Sequence, residues 1–99
     1  MNRTKEKRVK IEILIRSMKA IKPSDLKRKS SIGHRKLKLF IEDLKAEGLL
    51  EEIKSSVRDK RSKIKYKTTS EGRLFLENIL ESDQVIKNYY WRVLTESIF

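Results

Sequence analysis

The chain has 99 residues, with 25 Lys and Arg against 14 Asp and Glu and a formal net charge of +11, which suits one small domain that seeks a polyanion. It has no cysteine and a single histidine, His34, so disulfide, thiolate, zinc-cluster and His-triad chemistry lack their residues, and no metal or other cofactor is expected. The charge is unevenly spread. Residues 1–67 hold 22 basic against 9 acidic side chains, and residues 68–99 hold 3 against 5, so polyanion binding is expected of the first part and protein contact of the second.

Residues 1–8, with Arg3, Lys5, Lys7 and Arg8, read as a flexible basic arm or helix lead-in. From Val9 to about residue 21 the spacing predicts a helix whose main apolar face is Ile11, Leu14, Ile15, Met18 and Ile21. Val9 and Ile13 fall on the other side, so this helix is expected to be covered twice, the second time by the distal helix or a symmetry mate. Pro23 ends that run and suits the first turn of a short helix over about 24–30, with Ser24 and Asp25 near its start and Leu26 inward. Ser30 to Gly33 form a turn with Ile32 turned inward.

A helix over about 34–47 follows, with Leu37, Phe40, Ile41 and Leu44 on one face and His34, Arg35, Lys36, Lys38 and Leu39 outward in its N-terminal half. Gly48 supplies a left-handed stop, and strands near 49–54 and 63–68 flank a polar tip carrying Arg58, Lys60 and Arg61. Ile64 and Tyr66 alternate with Lys63, Lys65 and Lys67, giving one buried and one basic face. Lysines on an edge strand also keep it from pairing with neighbours, and that role needs no nucleic acid. Thr69 or Ser70 caps a last helical segment over about 71–97, in which Ile79, Ile86 and Val93 recur at sevens and Ser82-Asp83 interrupts the stripe. The segment reads equally as one long helix or as two broken at Ser82.

The fold class is therefore mainly α with a small β-hairpin, in the order of a winged helix-turn-helix followed by a C-terminal helix. Its parts are the arm at 1–8, the winged domain at 9–70 and the tail at 71–99. On Gly48-Leu49-Leu50 and on Tyr66-Lys67-Thr68-Thr69-Ser70-Glu71-Gly72, the chain resembles an archaeal winged-helix family that includes a small crenarchaeal chromatin protein and regulators of archaellum expression. Thr68 departs from that family's pattern, placing a polar group where leucine is usual. The family in turn resembles the wider multidrug-resistance and phenolic-acid regulator groups. The resemblance implies double-stranded DNA as the partner and a homodimer joined through the C-terminal helix, here Ile79–Leu94; the apolar spacing permits that dimer without requiring it.

The residues themselves suit DNA. The major groove admits one helix and is read by side chains near its N-terminus, where Arg35 can donate two hydrogen bonds to guanine and Lys36 and Lys38 can reach bases or phosphates. A lysine-rich surface helix would also show exposed cations, but here they occupy the reading half while Glu42, Asp43 and Glu47 take the other. His34 joins that set, although a lone histidine is more often a solvated surface residue. Arg58, Lys60 and Arg61 suit phosphate or minor-groove contact, and Lys27, Arg28, Lys29 and Ser31 suit phosphates. Tyr89, Tyr90 and Trp91 could stack on unpaired bases, but their neighbours Val85, Ile86, Val93 and Leu94 favour burial in a dimer interface or a simple core.

A sequence-selective regulator is thus the leading expectation, beside a weakly selective chromatin protein and a winged-helix protein adaptor. RNA is disfavoured because its A-form major groove is too deep and narrow. An enzyme is disfavoured because Glu42-Asp43 and Glu51-Glu52 are adjacent pairs whose side chains diverge. No apolar run is long enough to span a bilayer, so a cytoplasmic, DNA-associated protein is expected, of cellular, plasmid or viral origin.

Overall fold

A computed structural model of the chain describes residues 3–30, 32–55 and 63–88. The elements in chain order are α1 (Arg3–Arg16), α2 (Pro23–Lys29), α3 (His34–Ala46), β1 (Leu50–Ser55), β2 (Lys63–Thr68) and α4 (Ser70–Ser82). The two strands pair antiparallel, from Leu50 opposite Thr68 to Ser55 opposite Lys63.

The first helix differs from its expected bounds at both ends. It starts at Arg3, so residues 3–8 are helical rather than an arm before the helix, and it stops at Arg16 rather than near 21. Met18 and Ile21 continue the three-residue spacing, but the backbone leaves it. The Met18 amide donates to the Ile15 carbonyl, the tighter bond of a closing turn, and Ile21 exchanges two hydrogen bonds with Tyr66 at 2.9 and 2.8 Å. Ile21 thereby adds a one-residue bridge to the outer edge of β2. A β-branched residue serves either role, and the free edge of the hairpin decides which.

The end of α1 is held by the residue that departs from the family pattern. The buried Thr68 hydroxyl donates to the Leu14 carbonyl at 2.6 Å, and the Thr68 amide donates to the Ser17 carbonyl at 2.8 Å. Carbonyls in the last turn of a helix lack intrahelical donors, so a threonine supplies what leucine could not. Thr68→Val keeps the shape, deletes the donor and is expected to cost about 1–3 kcal/mol by leaving a buried carbonyl short of a partner. A urea titration should show a lower midpoint at an unchanged slope; an unchanged midpoint would mean that the bond contributes nothing.

Ile11, Ile13, Leu14 and Ile15 are all buried, so α1 is covered on more than one side, as its apolar pattern anticipated. The covering comes from the chain itself, because α1 packs against α3, β2 and α4. Burial also raises the Glu12 carboxyl above the ordinary carboxylate range, with the nearby Arg16 guanidinium opposing it. The rest of the core is Leu26 of α2, the expected Leu37, Phe40, Ile41 and Leu44 of α3, Leu49 and Leu50, and Leu76 of α4.

At the other junction, Gly48 takes the left-handed φ of 76° that ends α3, and Thr69 joins three segments. Its hydroxyl donates to the Gly48 carbonyl at 2.7 Å and accepts from the Gly72 amide at 3.0 Å, while its own amide donates to the Leu49 carbonyl. Thr69, rather than Ser70, is therefore the N-cap of α4. Further on, the segment breaks where the stripe was interrupted. Ser82 ends α4, Asp83 is extended, and its carboxylate accepts from the amides of Val85 and Ile86 at 3.1 and 3.2 Å to start a new helical turn over 84–88. A short acidic side chain at a helix start explains the break.

Candidate nucleic-acid interface

Three features fix the position of α3. Its four core residues anchor one face, Ile32 packs half-buried beneath the turn before it, and α2 is pinned by Leu26, which is fully buried. The exposed Gly33 opens the helix with no side-chain cap, and no acidic residue lies in the first turn. By contrast, α2 has Asp25 and α4 has Thr69 and Glu71 at the corresponding ends. The positive end of the α3 dipole is thus left for a ligand or solvent to satisfy.

His34, Arg35, Lys36, Lys38 and Leu39 are all exposed on this helix, as the sequence pattern requires. At about 100° per residue, the line opposite the buried face runs between Arg35 and Leu39, with Lys36 and Lys38 on either side. Among the described residues no carboxylate lies within ion-pair distance of these three cations. Toward the other end of α3, Glu42 and Glu47 are ion-paired. Glu47 meets Lys10 at 3.0 Å, and Lys45 lies 3.7 Å from Glu42 and 3.4 Å from Glu52 of β1. Glu42 and Glu52 are therefore ion-pair partners of one lysine. Beside them, burial raises the Tyr66 phenol above its ordinary range, and the Glu52 carboxylate adds to that rise while Lys45 opposes it.

Lys27, Arg28 and Lys29 are exposed on α2, but Arg28 also bonds Asp25 at 3.0 Å. A pair this exposed holds weakly, so it leaves the guanidinium available. Ser31 lies outside the described residues, as do Arg58, Lys60 and Arg61 of the hairpin tip. On the hairpin, Lys67 is exposed opposite Glu51, whereas Lys65 is half-buried, so the outer face is less purely basic than the alternation suggested. Ile53, opposite Lys65, shares that face.

In the tail, Ile79 and Ile86 pack half-buried against the chain's own core. Tyr89, Tyr90, Trp91, Val93 and Leu94 lie outside the described residues. The sequence reading did not single out Leu74, which is 59% exposed; Val85, 70% exposed, entered only as a neighbour of the aromatic cluster. No sequence motif marks the groove of about 320 Å³ at the base of the hairpin. Its charged lining is Lys67 and Arg73 with Glu51 and Glu71, a balance that favours neither sign of ligand.

No protein-family model and no curated protein matches the sequence. Solved structures do. A candidate transcriptional regulator from Thermoplasma acidophilum superposes with a TM-score of 0.73 at 14% identity, over 95% of this chain and 97% of that one. A PadR-like transcription factor from Bacteroides fragilis gives 0.68 at 19% identity, over 96% and 90%. A PadR family transcription regulator from a hypervirulent Clostridium difficile gives 0.59 at 22% identity, over 85% and 97%.

The fold is a winged helix. In that frame α2 and α3 form the helix-turn-helix, β1 and β2 the wing, and α4 the start of the C-terminal helical segment. The solved structures that the chain resembles thus include PadR-type regulators, whereas the narrower resemblance to archaeal chromatin and archaellum proteins rests on sequence motifs. Among the described residues, no helix is long and apolar enough to cross a membrane, and no cluster of His, Asp or Glu could hold a metal ion.

Proposed function

We propose that the chain is a dimeric, sequence-selective double-stranded DNA-binding protein that regulates transcription without enzymatic activity, in the cytoplasm. The observation that carries this reading is the polarity of α3. Its uncapped, acid-free N-terminal half presents Arg35, Lys36 and Lys38 with no carboxylate partner among the described residues, and toward the other end Glu42 and Glu47 sit beside lysines of the same chain. A groove-reading helix needs that arrangement; a generally basic surface does not. The likeness to PadR-type regulators supports the same reading, and the Gly48 and Thr69–Gly72 steps support kinship with the archaeal chromatin and archaellum-regulator group.

In this reading, His34, Arg35, Lys36, Lys38 and Leu39 enter the major groove. Lys27, Arg28, Lys29 and Ser31 hold phosphates, and Arg58, Lys60 and Arg61 of the wing track the backbone or minor groove. Residues from Ile79 to Leu94 join two protomers and set two α3 helices about 34–36 Å apart on one DNA face.

The test is an anisotropy titration of a random duplex and of source-genome fragments over a range of salt, with light scattering for mass. The logarithm of affinity should fall with that of salt by about 0.9 per phosphate neutralised, at a dimer mass, with a few fragments retained selectively. A slope near zero would overturn DNA binding. Equal affinity for all fragments would make the protein architectural, and absence of binding at low salt would favour a protein adaptor.

A further inference from the structure

We propose that Leu39 is a specificity-determining residue that reads the C5 methyl group of a thymine within about two base pairs of the base met by Arg35. The inference deepens the DNA-binding reading and rests on it. Leu39 is 66% exposed, whereas the other outward side chains along α3 are charged or polar, apart from Ala46 near its end. A lone exposed leucine on a protein surface is ordinary, and position is what distinguishes this one. Within the N-terminal half of α3, Leu39 and Arg35 are the two residues nearest the line opposite the core, one helical turn apart, with Lys36 and Lys38, which have no carboxylate partner among the described residues, on either side. The cations supply charge complementarity to a polyanion, so whatever Arg35 meets, Leu39 meets at nearly the same depth.

In the major groove of B-form DNA every base edge offers hydrogen-bond donors or acceptors, and the one methyl group is that of thymine. An isobutyl side chain packs best on that methyl, because contact with most other groups there strips water from a polar edge. Four residues of helix rise about 6 Å, and stacked base pairs are about 3.4 Å apart, which sets the two-base-pair limit. The acidic residues farther along α3 keep the groove contact in its first half, so Leu39 is the last apolar group that it reaches.

The experiment uses the full chain and a duplex selected from a random library. Each thymine of that duplex is replaced in turn by deoxyuridine, which removes the methyl and leaves the pairing and groove hydrogen-bond pattern intact. For the native chain one position per half-site should weaken binding about fourfold, the size of one methyl withdrawn from water. In Leu39→Ala, an exposed change that favours the helix, the same replacement should have no effect. Full sensitivity retained in Leu39→Ala, or no sensitive thymine in a duplex that is selectively bound, overturns the assignment to Leu39 while leaving the regulator intact. A library that yields no preferred sequence overturns the selective reading itself, and with it this inference.

Discussion

Replacing Gly72 by alanine is expected to destabilise the domain by about 2–3 kcal/mol, although alanine is the better helix former by about 1 kcal/mol. A Cβ at Gly72 would fall well inside contact distance of the Leu49 carbonyl oxygen and of the Thr68 methyl. Neither neighbour can yield cheaply. Leu49 is buried, its carbonyl accepts from the Thr69 amide, and Thr68 is held on Leu14 and Ser17. The clash therefore pushes α4 away from the strand start and loosens the Thr69 cap with it. For a domain this small the loss corresponds to a fall in Tm of roughly 10–20 °C. Thermal unfolding followed by circular dichroism measures it, and a Tm at or above that of the native chain would mean that α4 does not pack this closely. The Thr69-to-Gly72 step is thus one device: the threonine hydroxyl fixes the helix start, and the glycine three residues later lets that start lie on the Leu49 backbone.

That device was legible in the sequence because its parts are local. The same holds for α3, where four apolar residues at helical spacing ended by a glycine leave little choice, and for the hairpin, where alternation and length agree. It fails for the end of α1. Met18 and Ile21 fit the helical stripe, and only the unpaired edge of Tyr66, far along the chain, draws Ile21 into the sheet. Tertiary pairing overrides a spacing that was itself consistent, a competition that no local window contains. Asp83 is the intermediate case. Ser82-Asp83 marked an interruption, but whether Asp83 would cap a new turn depended on its carboxylate reaching the amides of Val85 and Ile86. For the interface, the sequence located the exposed cations of α3, but the Lys10–Glu47 and Lys45–Glu52 pairs toward its other end required the fold, because Lys10 and Glu52 come from other elements.

That separation of charge leads to the largest expected effect on binding. Arg35→Ala combined with Lys36→Ala should abolish selective DNA binding while leaving the fold intact. Both side chains are exposed and without a carboxylate partner among the described residues, so stability should change by no more than about 0.5 kcal/mol. Loss of a bidentate base contact costs about 1–3 kcal/mol, and in a dimer each substitution is present twice, so the selective affinity should fall by at least about thirtyfold. The two residues should also separate by salt dependence. If Lys36 neutralises a phosphate, Lys36→Ala alone lowers affinity for all duplexes and reduces the salt slope by about one per protomer. Arg35→Ala alone should instead erase the preference for the selected duplex while changing the slope little. A double variant that binds the selected duplex like the native chain, with an unchanged slope, would mean that α3 does not enter the groove and that the cations of α2 and the wing carry the binding.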